Sequence, residues 1–178
     1  KISEQVSGLH LSSIRLETAY PALPTPLQTS SGSLEVAPLL IVQVMTECGV
    51  TGDSYLFSPN RTLLPALNEA TKAVFQVVRG DPCLPENVTD RILRQFTLFG
   101  GTGFVTMAMA AVDMAVWDVV GKAIGQPLHR VLGGTSTEVR TYESSGLGIG
   151  DQRTIRQQAE SFLKNGNTTM KLRLGYET

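Results

Sequence analysis

The hydrophobic pattern divides the chain into an order of elements before any single residue is considered. Residues 39–46, LLIVQVMT, form a run of β-forming side chains, Gly49 and Gly52 supply turn positions, and residues 54–57 read as a returning strand, so a hairpin is expected. Upstream, residues 2–18 alternate loosely through Leu9, Leu11 and Ile14 and read as an edge strand or hairpin arm. Between these stretches, YPALPTPLQTSSGSLEVAP holds four of the nine prolines and a Ser/Gly cluster, which predicts a long loop over residues 20–38.

The period then changes from two to nearly four. Leu63, Leu67, Ala70, Val74 and Val77 predict one helical face, with Pro65 in the first turn and Gly80 and Pro82 as the stop. Val88, Ile92 and Phe96 predict a second helix. The longest helix is predicted over residues 104–124, where Ala, Met and Val occur almost all round and only Asp113, Asp118 and Lys122 are charged; such a helix is buried on most sides. Pro127 opens a short turn that closes on Gly133 and Gly134. Residues 138–144 read as a strand, residues 146–150 as a Gly-rich loop, and DQRTIRQQAESFLKNG as an amphipathic helix with Ile155, Ala159 and Phe162 or Leu163 inward. TTMKLRLGY is the next strand, so the last stretch has the strand–helix–strand form of a parallel crossover. An α+β domain over residues 1–134 followed by an α/β unit over residues 135–178 is therefore expected.

Composition narrows the function classes. Apolar residues at 42% against 17% charged allow a real core, and a net charge of −1 without a basic block leaves nucleic acid no electrostatic footprint. Cys48 and Cys83 fit neither a metal motif nor a disulfide framework and read as reduced thiols. No signal peptide opens the sequence and no apolar run is read as long enough to span a membrane, so the cytoplasm is the default compartment. The sequons at Asn60, Asn87 and Asn167 read as chance matches.

Most candidate motifs dissolve on inspection. GLGIGD lacks the spacing and the later acidic residue of a dinucleotide loop. His10 and His129 lie far apart and read as surface residues, and no His/Asp/Glu set has metal-ligand spacing. Asp113 and Asp118, five apart on one helix, read as polar anchors. Lys171 and Arg173 are different. Period two puts both on one face of a strand, where two cations need either solvent or an anionic partner. The functional reading is a cationic pair facing a carboxylate or a metal-bound oxyanion, with Met170, Leu172 and Leu174 turned out into a helical layer.

Four stretches, VAPLLIVQVMTECGVTGDSYLF, GGTGFVTMAMAAVDMAVWDVVGKAIGQPLHRVLGG, VRTYESSG and MKLRLGY, occur in an order that resembles the mandelate racemase branch of the mandelate racemase/muconate lactonizing enzyme family, in the enolase superfamily. The resemblance implies an α+β capping domain followed by a modified (β/α)7β barrel. It also implies Mg²⁺ and a small carboxylate substrate, a hydroxy acid or acid sugar, whose α-proton is abstracted through an enediolate. Lys171 matches the first Lys of the family's Lys-x-Lys motif and Arg173 the second, which is a general base in racemizing members. Tyr55 and Ser144 match substrate-contacting positions, and residues 20–38, with Leu34, match a flap that shapes specificity. The family forms homo-oligomers. Arg173 departs from the pattern, because a guanidinium keeps its proton above about pH 12 and is a poor base. A barrel needs about 250 residues, so only its first two strands are expected here, with the metal-binding carboxylates on strands beyond Thr178. An acid-sugar dehydratase is the leading expectation, ahead of a racemase or epimerase and of a catalytically silent capping fragment.

Overall fold

The computed structural model describes residues 2–29 and 32–174. Contacts divide the chain into two compact units: Lys1–Tyr20 with Pro38–Thr135, and Pro21–Ala37 with Ser136–Thr178. The hairpin 21–37 thus groups with the second unit rather than with the rest of residues 1–134.

The first unit opens on a short helix, α1 (Ile2–Val6), in place of the start of an expected strand. Three strands follow: β1 (Leu11–Ala19), β4 (Leu39–Thr46) and β5 (Thr51–Phe57). They form one antiparallel sheet with β4 in the middle, so β1 is an edge strand as its loose alternation suggested. Pairing runs from Leu11↔Thr46 to Ala19↔Leu39 and from Leu39↔Phe57 to Met45↔Thr51. Strict alternation along β4 buries Leu40, Val42 and Val44 on one face. Covering a valine or leucine side chain is worth roughly 1.5–3 kcal/mol.

That face is covered by helices. A 3-10 turn (Arg61–Leu63) leads into α2 (Leu64–Val78), then come α3 (Pro85–Gln95), a second 3-10 turn (Thr97–Phe99), α4 (Gly103–Ala123) and α5 (Leu128–Val131). The buried stripe of α2 is Leu64, Leu67, Thr71, Val74, Phe75 and Val78. The expected stripe through Leu63 and Val77 was turned by about one position. Thr71 is tolerated at 0% exposure because its hydroxyl donates to the Leu67 carbonyl at 2.8 Å.

Helix α4 is the centre of this unit, packing along β5, α2, β4 and α3. Ala108, Ala111, Val112, Ala115, Val116, Val119 and Val120 are buried, as its apolar surface predicts. Contrary to the sequence reading, α4 is by length and composition apolar enough to cross a membrane; its apolar side is spent on the protein core instead.

Residue 52 was expected to be a turn glycine, yet Gly52 lies inside β5. A Cβ there would stand 2.0 Å from the Ala115 carbonyl oxygen and 2.7 Å from the Val119 nitrogen, so only glycine lets the strand lie this close to α4. Polar groups fasten the same seam. The Ser54 hydroxyl donates to the Ala111 carbonyl at 2.7 Å, and the Asp53 N–H donates to Asp118 Oδ2 at 2.8 Å. Lys122 Nζ reaches Asp53 at 2.6 Å and Asp118 at 2.7 Å. Asp113 accepts from the Thr89 hydroxyl at 2.6 Å. Both helix aspartates are polar anchors, as expected.

In the second unit, β2 (Ala22–Thr29) and β3 (Gly32–Val36) form a two-stranded antiparallel ribbon where a loop was predicted. Ala22 pairs Val36 and Leu27 pairs Leu34, so the residues between Ala22 and Leu27, which include Pro24 and Pro26, bulge out of register. Prolines fit there because a bulge needs no ladder N–H from them. Helix α6 (Gln152–Lys164) is as predicted, with Asp151 accepting the N–H groups of Arg153 and Thr154. Ile155, Ala159 and Phe162 are partly buried and Leu163 is exposed, which selects Phe162 over Leu163. The two expected flanking strands are reduced to one parallel bridge, Glu143↔Met170. Their β-propensity is present, but among the described residues ladder hydrogen bonds form at this point alone. The predicted continuation of the last strand into Gly175 and Tyr176 lies outside the described residues.

Candidate functional site

The cationic pair is held by backbone hydrogen bonds. Glu143 N–H donates to the Thr169 carbonyl and Lys171 N–H donates to the Glu143 carbonyl, both at 2.9 Å. This brackets the bridge and puts Ser144 and Lys171 at the next shared register position. Two residues on, Arg173 N–H donates to the Leu147 carbonyl at 2.9 Å. The fold therefore sets Ser144 beside Lys171, with Arg173 two residues on and bonded through its backbone to Leu147 of the neighbouring segment. Lys171 is exposed and Arg173 half-buried. Among the described residues, no carboxylate lies within ion-pair distance of either. Leu172 and Leu174, expected under a helical layer, are exposed: a single bridge does not make a sheet face for helices to cover.

Glu143 contributes a carboxylate beside this pair of segments. Hydrogen bonds from the Ser145 hydroxyl and then its N–H hold Glu143 below the usual carboxylate range. The Ser145 N–H lies 2.8 Å from Glu143 Oε1. The carboxylate is thus committed to its own turn.

The Gly-rich loop adds a cavity of about 210 Å³, lined on one side by Pro26 and Leu27 of β2 and on the other by Ser145, Gly148, Ile155 and Gln158 among others. Leu34 sits opposite Leu27 in the ribbon and is half-buried. The segment expected to be a flap is thus a ribbon, and it forms a wall of this cavity. The N–H groups that a dinucleotide phosphate would use at the start of α6 are occupied by Asp151.

Tyr55 belongs to the first unit. It pairs with Ile41 on the sheet face opposite Leu56, and it is 62% exposed. Its place on β5 is set by the seam at Gly52, three residues away. His10 is half-buried beside Pro82, and His129 is exposed.

Magnesium would need several oxygen ligands converging at one point. Among the described residues, no three His, Cys, Asp or Glu side chains come together to hold a metal ion. The two cations beside Ser144 are the wrong charge for one. The residues present do not fit the metal.

Two features of the site were not read from the sequence. Gln158 lies on the inward face of α6, one turn from Ile155 and Phe162, and its bond to the Leu147 N–H spans a loop, which side-chain pattern does not reveal. The left-handed backbone of Leu147 falls on a residue type that gives no signal for it.

Residues 13–133, more than half of the chain, match the mandelate racemase / muconate lactonizing enzyme N-terminal domain. An N-succinyl-L-Arg/Lys racemase of Bacillus cereus is 27% identical, the match covering 96% of this chain and 44% of the relative. An arabinonate dehydratase of Saccharolobus solfataricus is 28% identical over 56% of this chain and 27% of its own length. A solved enolase from Bradyrhizobium, complexed with magnesium and mandelic acid, superposes with a TM-score of 0.86 at 27% identity, over 96% of this chain and 47% of that one. The chain spans less than half the length of these relatives. With this match over more than half of its length, the chain belongs to the mandelate racemase / muconate lactonizing enzyme family of the enolase superfamily.

Proposed function

We propose that this chain supplies the capping domain and the first barrel segments of an acid-sugar dehydratase, a lyase that removes the proton α to a substrate carboxylate. The observation that supports the reading is the register at the bridge, which sets Ser144 beside Lys171, with Arg173 two residues on and, among the described residues, no carboxylate within ion-pair distance of either cation. A Lys and an Arg without a carboxylate partner among the described residues suit a planar oxyanion.

In this reading Lys171 faces the substrate carboxylate and offsets the charge that grows as the α-proton leaves. Arg173 grips carboxylate oxygens through its fixed fork of N–H donors and stays protonated throughout. Ser144 donates a hydrogen bond to the same group, Tyr55 contacts the substrate from the capping domain, and Leu34 shapes the wall that selects it. The base that takes the α-proton comes from the remainder of the barrel, and the β-hydroxyl then departs as water. The solved Bradyrhizobium relative holds magnesium. In this reading the ligands for such a metal would come from the rest of the barrel.

A racemase or epimerase is the second reading, favoured by the Bacillus cereus relative. It needs a base on each face of the α-carbon, and a guanidinium at position 173 is poorly suited to be one. Acid sugars offered to the protein extended to the length of its relatives test the proposal by formation of 2-keto-3-deoxy acids. Lys171→Met and Arg173→Met should each lower kcat/KM by at least about 100-fold. Full activity in either variant would remove that residue from the site.

A further inference from the structure

We infer that Gln158 is a positioning residue that holds Arg173 in place through a left-handed turn at Leu147. Leu147 has a φ of +53°, the only positive φ at a non-glycine residue among those described. An L-residue adopts that conformation only when its surroundings impose it. Three restraints do so here. The Leu147 side chain is only 4% exposed. Its N–H donates to Gln158 Oε1 at 2.9 Å. Its neighbour Gly146 lies so close to α6 that an added Cβ would stand 2.9 Å from the Phe162 ring and 3.3 Å from Gln158 Oε1.

The carbonyl of the same residue accepts the Arg173 N–H at 2.9 Å. A left-handed residue turns its N–H and its carbonyl to partners that an extended one would not reach together. Relaxation of Leu147 to extended backbone would swing that carbonyl away and release residue 173. Gln158 opposes this by capturing the N–H. A side chain on α6 therefore fixes the backbone from which the Arg173 guanidinium projects. The consequence for catalysis rests on the proposed role of Arg173, whereas the latch itself does not.

Amide hydrogen exchange of the 178-residue chain, followed by NMR, tests the latch without substrate. In Gln158→Ala the Arg173 amide should exchange about tenfold faster than in the unaltered chain. The Lys171 amide, bonded to Glu143, and those of Val112 and Val116 should stay within about twofold. Gln158→Glu keeps an acceptor oxygen and should restore Arg173 protection at neutral pH. The inference is overturned if Arg173 protection survives Gln158→Ala, if Lys171 loses protection equally, or if Gln158→Glu behaves as Gln158→Ala. A latch that holds while Arg173→Met stays fully active would instead defeat the role of Arg173 and leave the latch standing.

Discussion

Replacing Gly52 by alanine should break the seam between β5 and α4. The backbone at Gly52 is ordinary extended strand, so the penalty is steric rather than conformational. The new methyl would lie 2.0 Å from the Ala115 carbonyl oxygen and 2.7 Å from both the Val119 nitrogen and its Cγ2. Real Cβ atoms essentially never come within 3.0 Å of another heavy atom, so strand and helix must part by about 1 Å. The obstacle is helix backbone, which cannot rotate away as a side chain can. Overpacking costs ~1–3 kcal/mol where side chains can yield, which places Gly52→Ala at about 3 kcal/mol or above. The same movement stretches the bonds from Ser54 to Ala111 and from Asp53 to Asp118. For a chain of this size ~1 kcal/mol shifts the melting temperature by about 2–4 °C, so a fall of about 6–12 °C is expected by circular dichroism. Gly8→Ala, where nothing lies within 4 Å of the added methyl, should melt within about 2 °C of the unaltered chain. A Gly52→Ala melt as close to the unaltered chain as that control would refute the reasoning.

Hydrogen bonds from Lys122, and after it Gln43, hold Asp53 below its ordinary value of 3.8. Its stabilising contribution is therefore present above that value and is lost as the pH falls through the lower folded one. Asp53→Asn should accordingly flatten the fall in urea midpoint between about pH 5 and pH 2; an unchanged profile would mean the carboxylate is not linked to folding. The two thiols should separate sharply. Burial pushes Cys83 up to about 12, whereas a hydrogen bond with Thr46 holds the exposed Cys48 below its ordinary 9.0. A disulfide reagent at neutral pH should titrate Cys48 in the folded chain and Cys83 only after denaturation. Reaction of both in the folded state would show that the core opens around Cys83.

The elements legible in the sequence were those whose side chains carry the signal. Helix α4 announced itself by an apolar surface nearly all round, and β4 by its run of β-forming residues. Residues 22–36 were misread because Pro24 and Pro26 argue against a strand, and pattern alone does not reveal a bulge that accommodates them. Residues 138–144 and 168–174 have the propensity of strands, but pairing depends on neighbours, and one bridge is what forms. Gly52 reads as a turn residue because a glycine required by close approach looks the same in sequence as one required by φ. The cationic alternation of Lys171 and Arg173 was legible as a pattern of two. Its support from Leu147 and Gln158 was not, since a side chain bonding backbone eleven residues away leaves no periodic trace.

The proposed one-base chemistry is tested most directly by solvent deuterium at the α-carbon. The protein extended to the length of its relatives would be given each of two acid sugars epimeric at that carbon, in D2O, with exchange followed by proton NMR. A guanidinium at position 173 that holds substrate without taking its proton predicts exchange and dehydration of one epimer, with the other left protiated. Exchange of both epimers at similar rates would show a working base on each face and contradict the account.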